Sequence, residues 1–153
     1  RRIYTVRMHS AIQCFNVPVP LASSGLVLPL ANASVHAGFP SPADDYLVKR
    51  IDLNEILVTH PQATFLFRVA GDSMQDLGIF DGDLLLVNRA LKPCHGNIVV
   101  AVVDGEYAVK QLYLRAGRLK LKAGNPTYPE IVPTEGQTIE VWGVATSCIK
   151  RFQ

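Results

Sequence analysis

Beyond about residue 60, the chain follows the two-residue period of β-structure. Segment 64–69 is rich in aromatic and β-branched residues, 84–87 follows the Asp81-Gly82 turn, 97–103 is an apolar run, and 106–112, 118–122, 130–132 and 139–149 complete the set. Each is predicted to be a strand. Helical patterning is confined to residues 44–60, where Asp52 can cap a short helix, with Glu55 three residues on. Leu53, Ile56 and Leu57 form its apolar stripe, and His60-Pro61 ends it. Ahead of this, Pro40-Ser41-Pro42 is held extended by proline stiffness. No internal repeat or low-complexity tract is present. The pattern predicts a mostly-β single domain, a folded sheet or partial barrel, over residues 38–153. An extended N-terminal arm, residues 1–37, precedes it.

Asp104-Gly105, between two apolar runs, is a type I′ hairpin signal and fixes a register. Pairing Val103 with Glu106 puts Ala101 opposite Ala108 and Val99 opposite Lys110. Alternation then places Val99, Ala101, Ala108, Lys110 and Leu112 on one face. Lys110 is a lone ammonium among apolar neighbours. Its stem could lie on the sheet with the head in water. Alternatively it is desolvated, which lowers its pKa and leaves a free amine able to act as a base. Gly71-Asp72-Ser73-Met74 follows directly on a strand. Gly71 permits a sharp turn that presents the Ser73 hydroxyl, with backbone N–H groups at Ser73 and its neighbour Asp72 to stabilise an oxyanion. An ordinary turn serine has the same local signature. Asp72, Asp76, Asp81 and Asp83 read as loop and turn residues, without the spacing of a calcium loop.

Composition narrows the functional classes. Fifteen Lys+Arg against thirteen Asp+Glu leave a formal charge of +2, too little for a generally basic nucleic-acid binder. Residues 1–37 hold Arg1, Arg2 and Arg7 and no acid, so the arm is the basic part. Cys14, Cys94 and Cys148 form no C-x-x-C pair, and His9, His36, His60 and His95 are scattered, so neither metal nor cofactor is expected. Cys94 and His95 are neighbours and point apart on extended backbone, which argues against a dyad. No apolar run reaches the length of a membrane span. Residues 21–33 mimic a secretory signal with Ala31-Asn32-Ala33 as its cleavage site, but Pro18, Pro20 and Pro29 argue against it. Met8 is a candidate start, and a cytoplasmic location is expected.

Ser73 in Gly-Asp-Ser-Met, Asp81-Gly-Asp-Leu, and Lys110 in Tyr-Ala-Val-Lys-Gln-Leu occur in an order that resembles the LexA-like self-cleaving peptidases, which share the signal-peptidase fold. The similarity is strongest to the UmuD type, the self-cleaving subunit of an SOS-induced DNA polymerase. It extends from about Ala37 to the C-terminus and includes Gly38-Phe-Pro-Ser-Pro-Ala, Asp45-Tyr46, Arg50-Ile-Asp-Leu-Asn54, His95-Gly96 and Val103-Asp-Gly-Glu106. The resemblance implies a Ser–Lys dyad with Ser73 as nucleophile and Lys110 as general base. It implies a scissile bond at Ala37-Gly38, with Ala37 where a cysteine is usual, after an arm that looks longer than usual. It also implies a homodimer, stimulation by RecA filaments on single-stranded DNA, and a processed form that serves a Y-family polymerase subunit of the UmuC type as accessory.

Other functions fit less well. A LexA-type repressor needs a helix-turn-helix, which 37 residues with three prolines and no amphipathic helix cannot supply, so sequence-specific DNA binding is not expected. A signal peptidase needs a membrane anchor. A catalytically idle β-domain acting only as a polymerase accessory is the remaining rival. The strand segment beyond Ile139, with Trp142, suits either core or a dimer interface.

Overall fold

The computed structural model describes residues 25–30, 37–38 and 49–152. Two antiparallel sheets are present among them. A small one pairs β1 (Val27–Leu30) with β2 (Lys49–Asp52). The large one has six strands in the order β3-β4-β8-β5-β6-β7, every neighbouring pair antiparallel. Its members are β3 (Thr64–Arg68), β4 (Leu84–Asn88), β5 (Ile98–Val103), β6 (Glu106–Arg115), β7 (Arg118–Lys122) and β8 (Ile139–Ile149). The mostly-β class is as the sequence pattern indicates.

The Asp104-Gly105 turn forms as expected. Asp104 has φ 49° and Gly105 φ 91°, the left-handed pair a type I′ turn demands. Val103 faces Glu106, Ala101 faces Ala108 and Val99 faces Lys110. A second turn of the same hand, Ala116-Gly117 with φ 49° and 71°, lets β6 run three residues past its expected end and pair with β7. The helix is shorter than the pattern suggests: α1 spans Leu53–Leu57, capped by Asp52, whose carboxylate accepts from the Asn54 N–H at 2.9 Å. Within the segment 44–60 expected to hold that helix, residues 49–52 pair with β1 as strand β2, and residues 44–48 lie outside the described residues. Segment 130–132 is not a strand. Pro129 and Pro133 flank it and withhold backbone donors, so Ile131 exchanges hydrogen bonds with Leu121 and the ladder stops there.

Strand β8 organises the core. It carries two irregularities: opposite Leu86/Val87, where Thr146 is the extra residue, and opposite Val100/Ala101, where Trp142 is. Bulges bend and twist a sheet, and the buried residues divide into two clusters. Val69, Met74, Ile79, Leu85, Val87, Val100 and Trp142 make one; Val99, Ala101, Leu112, Leu121, Val141 and Val144 make the other. Trp142 is therefore core, wrapped edge-on by Phe65 at 5.1 Å and Phe67 at 4.9 Å. Gly143 is required where it stands, since a Cβ there would come within 2.8 Å of Val87.

Candidate active site

After β3 the chain reverses at Gly71, whose φ of 87° suits glycine and strains other residues. The Gly71 N–H donates to the Asp81 carboxylate at 2.7 Å, tying the turn to the next loop. Met74, 1% exposed, plugs into the first core cluster and starts the 3-10 turn Gln75–Leu77. Ser73 is thus carried between a glycine hinge and a buried anchor.

The segment after β7 clamps the same turn from the far side. The Gly124 N–H donates to the Ser73 carbonyl at 2.8 Å, and the Asp76 N–H donates to the Gly124 carbonyl at 2.7 Å. Asn125, 6% exposed, donates from Nδ2 to the Asp72 carbonyl at 3.2 Å and accepts on Oδ1 from the Thr127 N–H at 3.0 Å. Tyr128 donates its hydroxyl to the Asp72 carboxylate. Gly124, Asn125 and Tyr128 are the residues that sequence reasoning missed. The Asn-Pro pair at 125–126 signals a turn, and only the fold shows that the turn lies against Ser73.

Lys110 lies on β6 and is buried, 9% exposed. Its Nζ is 2.8 Å from the Ser73 Oγ. Burial pushes its pKa below the ordinary lysine value, and no carboxylate among the described residues opposes this. Of the two environments open to this lysine from sequence, the desolvated one is found. The pair sits in a cleft of about 280 Å³ lined by Phe67, Val69, Ala70, Val100 and Tyr107 as well.

Of Asp72, Asp76, Asp81 and Asp83, three have structural partners. Asp72 holds Tyr128 and Asp81 holds Gly71. Asp83 pairs with Lys150, which lowers its pKa, and accepts from the Phe80 N–H at 2.8 Å. The Cys94 thiol bonds the Lys92 carbonyl, whereas His95 Nδ1 accepts from the Leu114 N–H, so these neighbours go separate ways. No cluster that could hold a metal occurs among the described residues, and no helix there is long and apolar enough to cross a membrane. Ser73 and Asp72 N–H groups donate to none of the described residues. Ala37 and Gly38 are both exposed and do not line the cleft.

A model of the Peptidase S24-like family matches residues 29–146. Protein SamA of Salmonella typhimurium is 44% identical over 123 residues, 80% of this chain and 85% of that protein. Protein ImpA of Escherichia coli is 42% identical over 133 residues, covering 86% of this chain and 90% of its own. The LexA repressor of Paracidovorax citrulli is 37% identical over 136 residues, 89% of this chain and 59% of the repressor.

Proposed function

The chain belongs to the Peptidase S24-like family, a family of serine peptidases, and from that premise we propose that it cuts its own backbone between Ala37 and Gly38. The contact of 2.8 Å between Ser73 Oγ and a buried Lys110 Nζ that has no ion pair among the described residues carries this function. Desolvation favours the neutral amine, and a neutral amine can accept the hydroxyl proton. As Nζ takes that proton, Oγ bonds to the Ala37 carbonyl carbon. The unengaged N–H groups of Ser73 and Asp72 are suited to receive the oxyanion. Collapse breaks the Ala37–Gly38 bond, with the Lys110 proton passing to the Gly38 nitrogen. Water then hydrolyses the Ser73 ester, freeing an arm of residues 1–37 from a body of residues 38–153.

Ala37 and Gly38 stand outside the cleft, so the observed rate scales with the fraction of molecules that bring them in. Tethering raises the local concentration of the bond, and slow chemistry suffices for one turnover per molecule. On the family resemblance, a RecA filament on single-stranded DNA raises the engaged fraction. The processed body then acts, as a cytoplasmic homodimer, as an accessory of a Y-family translesion polymerase subunit of the UmuC type. The second reading, an idle accessory domain, draws on the same exposed position of Ala37-Gly38.

The test is incubation of the purified chain at alkaline pH, with mass spectrometry of the products. Fragments that meet at Ala37-Gly38, and are absent for Ser73→Ala and Lys110→Ala, establish the peptidase. Cleavage by both variants at the wild-type rate removes the dyad. A wild-type chain intact both alone and with RecA filaments leaves the accessory role.

A further inference from the structure

The near-balanced charge of the chain conceals a one-sided surface. The β6–β7 register sets Arg115 opposite Arg118, Tyr113 opposite Lys120 and Gln111 opposite Lys122. By alternation these six share one face of the ribbon, and Leu112, Leu114, Leu119 and Leu121 share the other. Leu112 and Leu121 are core residues and Leu119 packs on them, so the basic face is the outer one. Lys110 has the parity of Leu112 and therefore points to the opposite side.

Glu130 accepts from Lys120 at 2.9 Å and pairs with Lys122 at 3.4 Å. Arg115 and Arg118 are exposed and have no ion pair among the described residues. Four cations against one acid leave the face strongly positive. An aromatic ring lies in its midst. Lys120 Nζ is 5.8 Å and Lys122 Nζ 6.0 Å from the centre of Tyr113, and His95 stands edge-on to that ring at 5.1 Å. Because β7 is an edge strand, no further strand of the sheet flanks the ribbon.

We propose that this outer face of the β6–β7 ribbon binds single-stranded nucleic acid without sequence preference. Alternate side chains on a strand stand about 7 Å apart, close to the repeat of an extended phosphodiester chain. Arg118, Lys120 and Lys122 can therefore meet successive phosphates, and Tyr113 offers a ring on which a base can stack. Charge alone would suit an acidic protein surface equally. The ring among the cations is what favours a nucleic acid. None of Tyr113, Arg115, Arg118, Lys120 and Lys122 lines the cleft that holds Ser73 and Lys110.

Fluorescence anisotropy of the full chain with a labelled oligothymidylate of about 15 nucleotides tests this. Wild type is expected to bind in low salt, with log K falling against log salt at a slope of about −2 to −3 for three or four phosphate contacts. The quadruple variant R115Q/R118Q/K120Q/K122Q is expected to bind at least about tenfold more weakly, and Tyr113→Ala about threefold more weakly. Should the quadruple variant melt early, R115Q/R118Q at the exposed tip still gives a reduced slope. No binding by wild type in low salt, or equal binding by the variants, overturns the assignment. If polyglutamate competes as well as unlabelled oligothymidylate and Tyr113→Ala costs nothing, the face fits an acidic protein and the nucleic-acid assignment falls.

Discussion

The turn that carries Ser73 and the small sheet on either side of Ala37-Gly38 are held in opposite ways. The turn is over-determined: the Asp81 carboxylate, Gly124, Asn125 and Tyr128 each bond it, and Met74 is locked in the core. The β1–β2 sheet has no buried residue. Leu26, Val27, Leu28 and Leu30 are all exposed, and Pro29 withholds an amide from β1. Ala37 and Gly38 lie between the two strands in sequence. Catalytic geometry demands placement to a fraction of an ångström, whereas a substrate segment that must enter and leave a cleft gains from weak anchoring. Under the proposed self-cleavage, the difference makes the fraction of molecules that deliver the bond, rather than assembly of the dyad, the quantity that sets the rate.

The sharpest way to break this contrast is to disable the rigid side. Lys110→Arg retains length and charge but cannot supply a neutral amine, so self-cleavage at alkaline pH should fall about 100-fold or more. In wild type the rate should climb about tenfold per pH unit while protonated lysine dominates, and level off at the folded-state pKa. Since burial lowers that pKa, the plateau arrives below the ordinary lysine value near 10.5. A rate still rising steeply above that value would show that Lys110 is not desolvated in the working enzyme. Quantified gel densitometry against pH provides the curve.

What the chain made legible follows physical range. Asp104-Gly105 is a two-residue signal with a nearly unique geometry, and it carried the register that put Lys110 on a buried face. Ala116-Gly117 makes the same turn, but alanine at φ 49° is not a residue type that announces it, so the full length of β6 was hidden. Residues 130–132 carry the β-branched pair Ile131-Val132 and are stopped by two flanking prolines. Asn125 grips Asp72 from 53 positions away, and no local pattern encodes such a contact. Strand β1 escaped because an exposed apolar stretch lacks the alternation that marks a half-buried strand.

Asn125 is next in expected effect. Asn125→Ala strips the Asp72 carbonyl of a side-chain donor in a nearly closed site, and should cost about 1–3 kcal/mol of stability in urea unfolding. Self-cleavage should drop about 10- to 100-fold through loss of aim. Cleavage reduced no further than the unfolded fraction accounts for would make Asn125 purely structural. Tyr128→Phe removes a hydroxyl bond at a more exposed position, and a rate loss of only about two- to fivefold is expected. The Asp72 carboxylate holds the Tyr128 pKa above its ordinary value, so the bond persists at the alkaline pH of the assay. The ratio of wild-type to Tyr128→Phe rates should therefore stay constant up to about pH 10.

The smallest effect belongs to the loose side. Leu28 is 44% exposed on β1, and truncation there removes little buried surface. Leu28→Ser should leave the unfolding free energy within about 0.5 kcal/mol of wild type. Its influence on self-cleavage should nevertheless be measurable, because Ala37-Gly38 lies in sequence between the paired strands β1 and β2. If that pairing keeps the bond away from Ser73, weakening it raises the rate; if it guides the bond inward, the rate falls. Unchanged stability with a changed rate is the signature of a segment whose job is delivery. A variant that unfolds early would instead place β1 within the cooperative body and erase the contrast between the two regions.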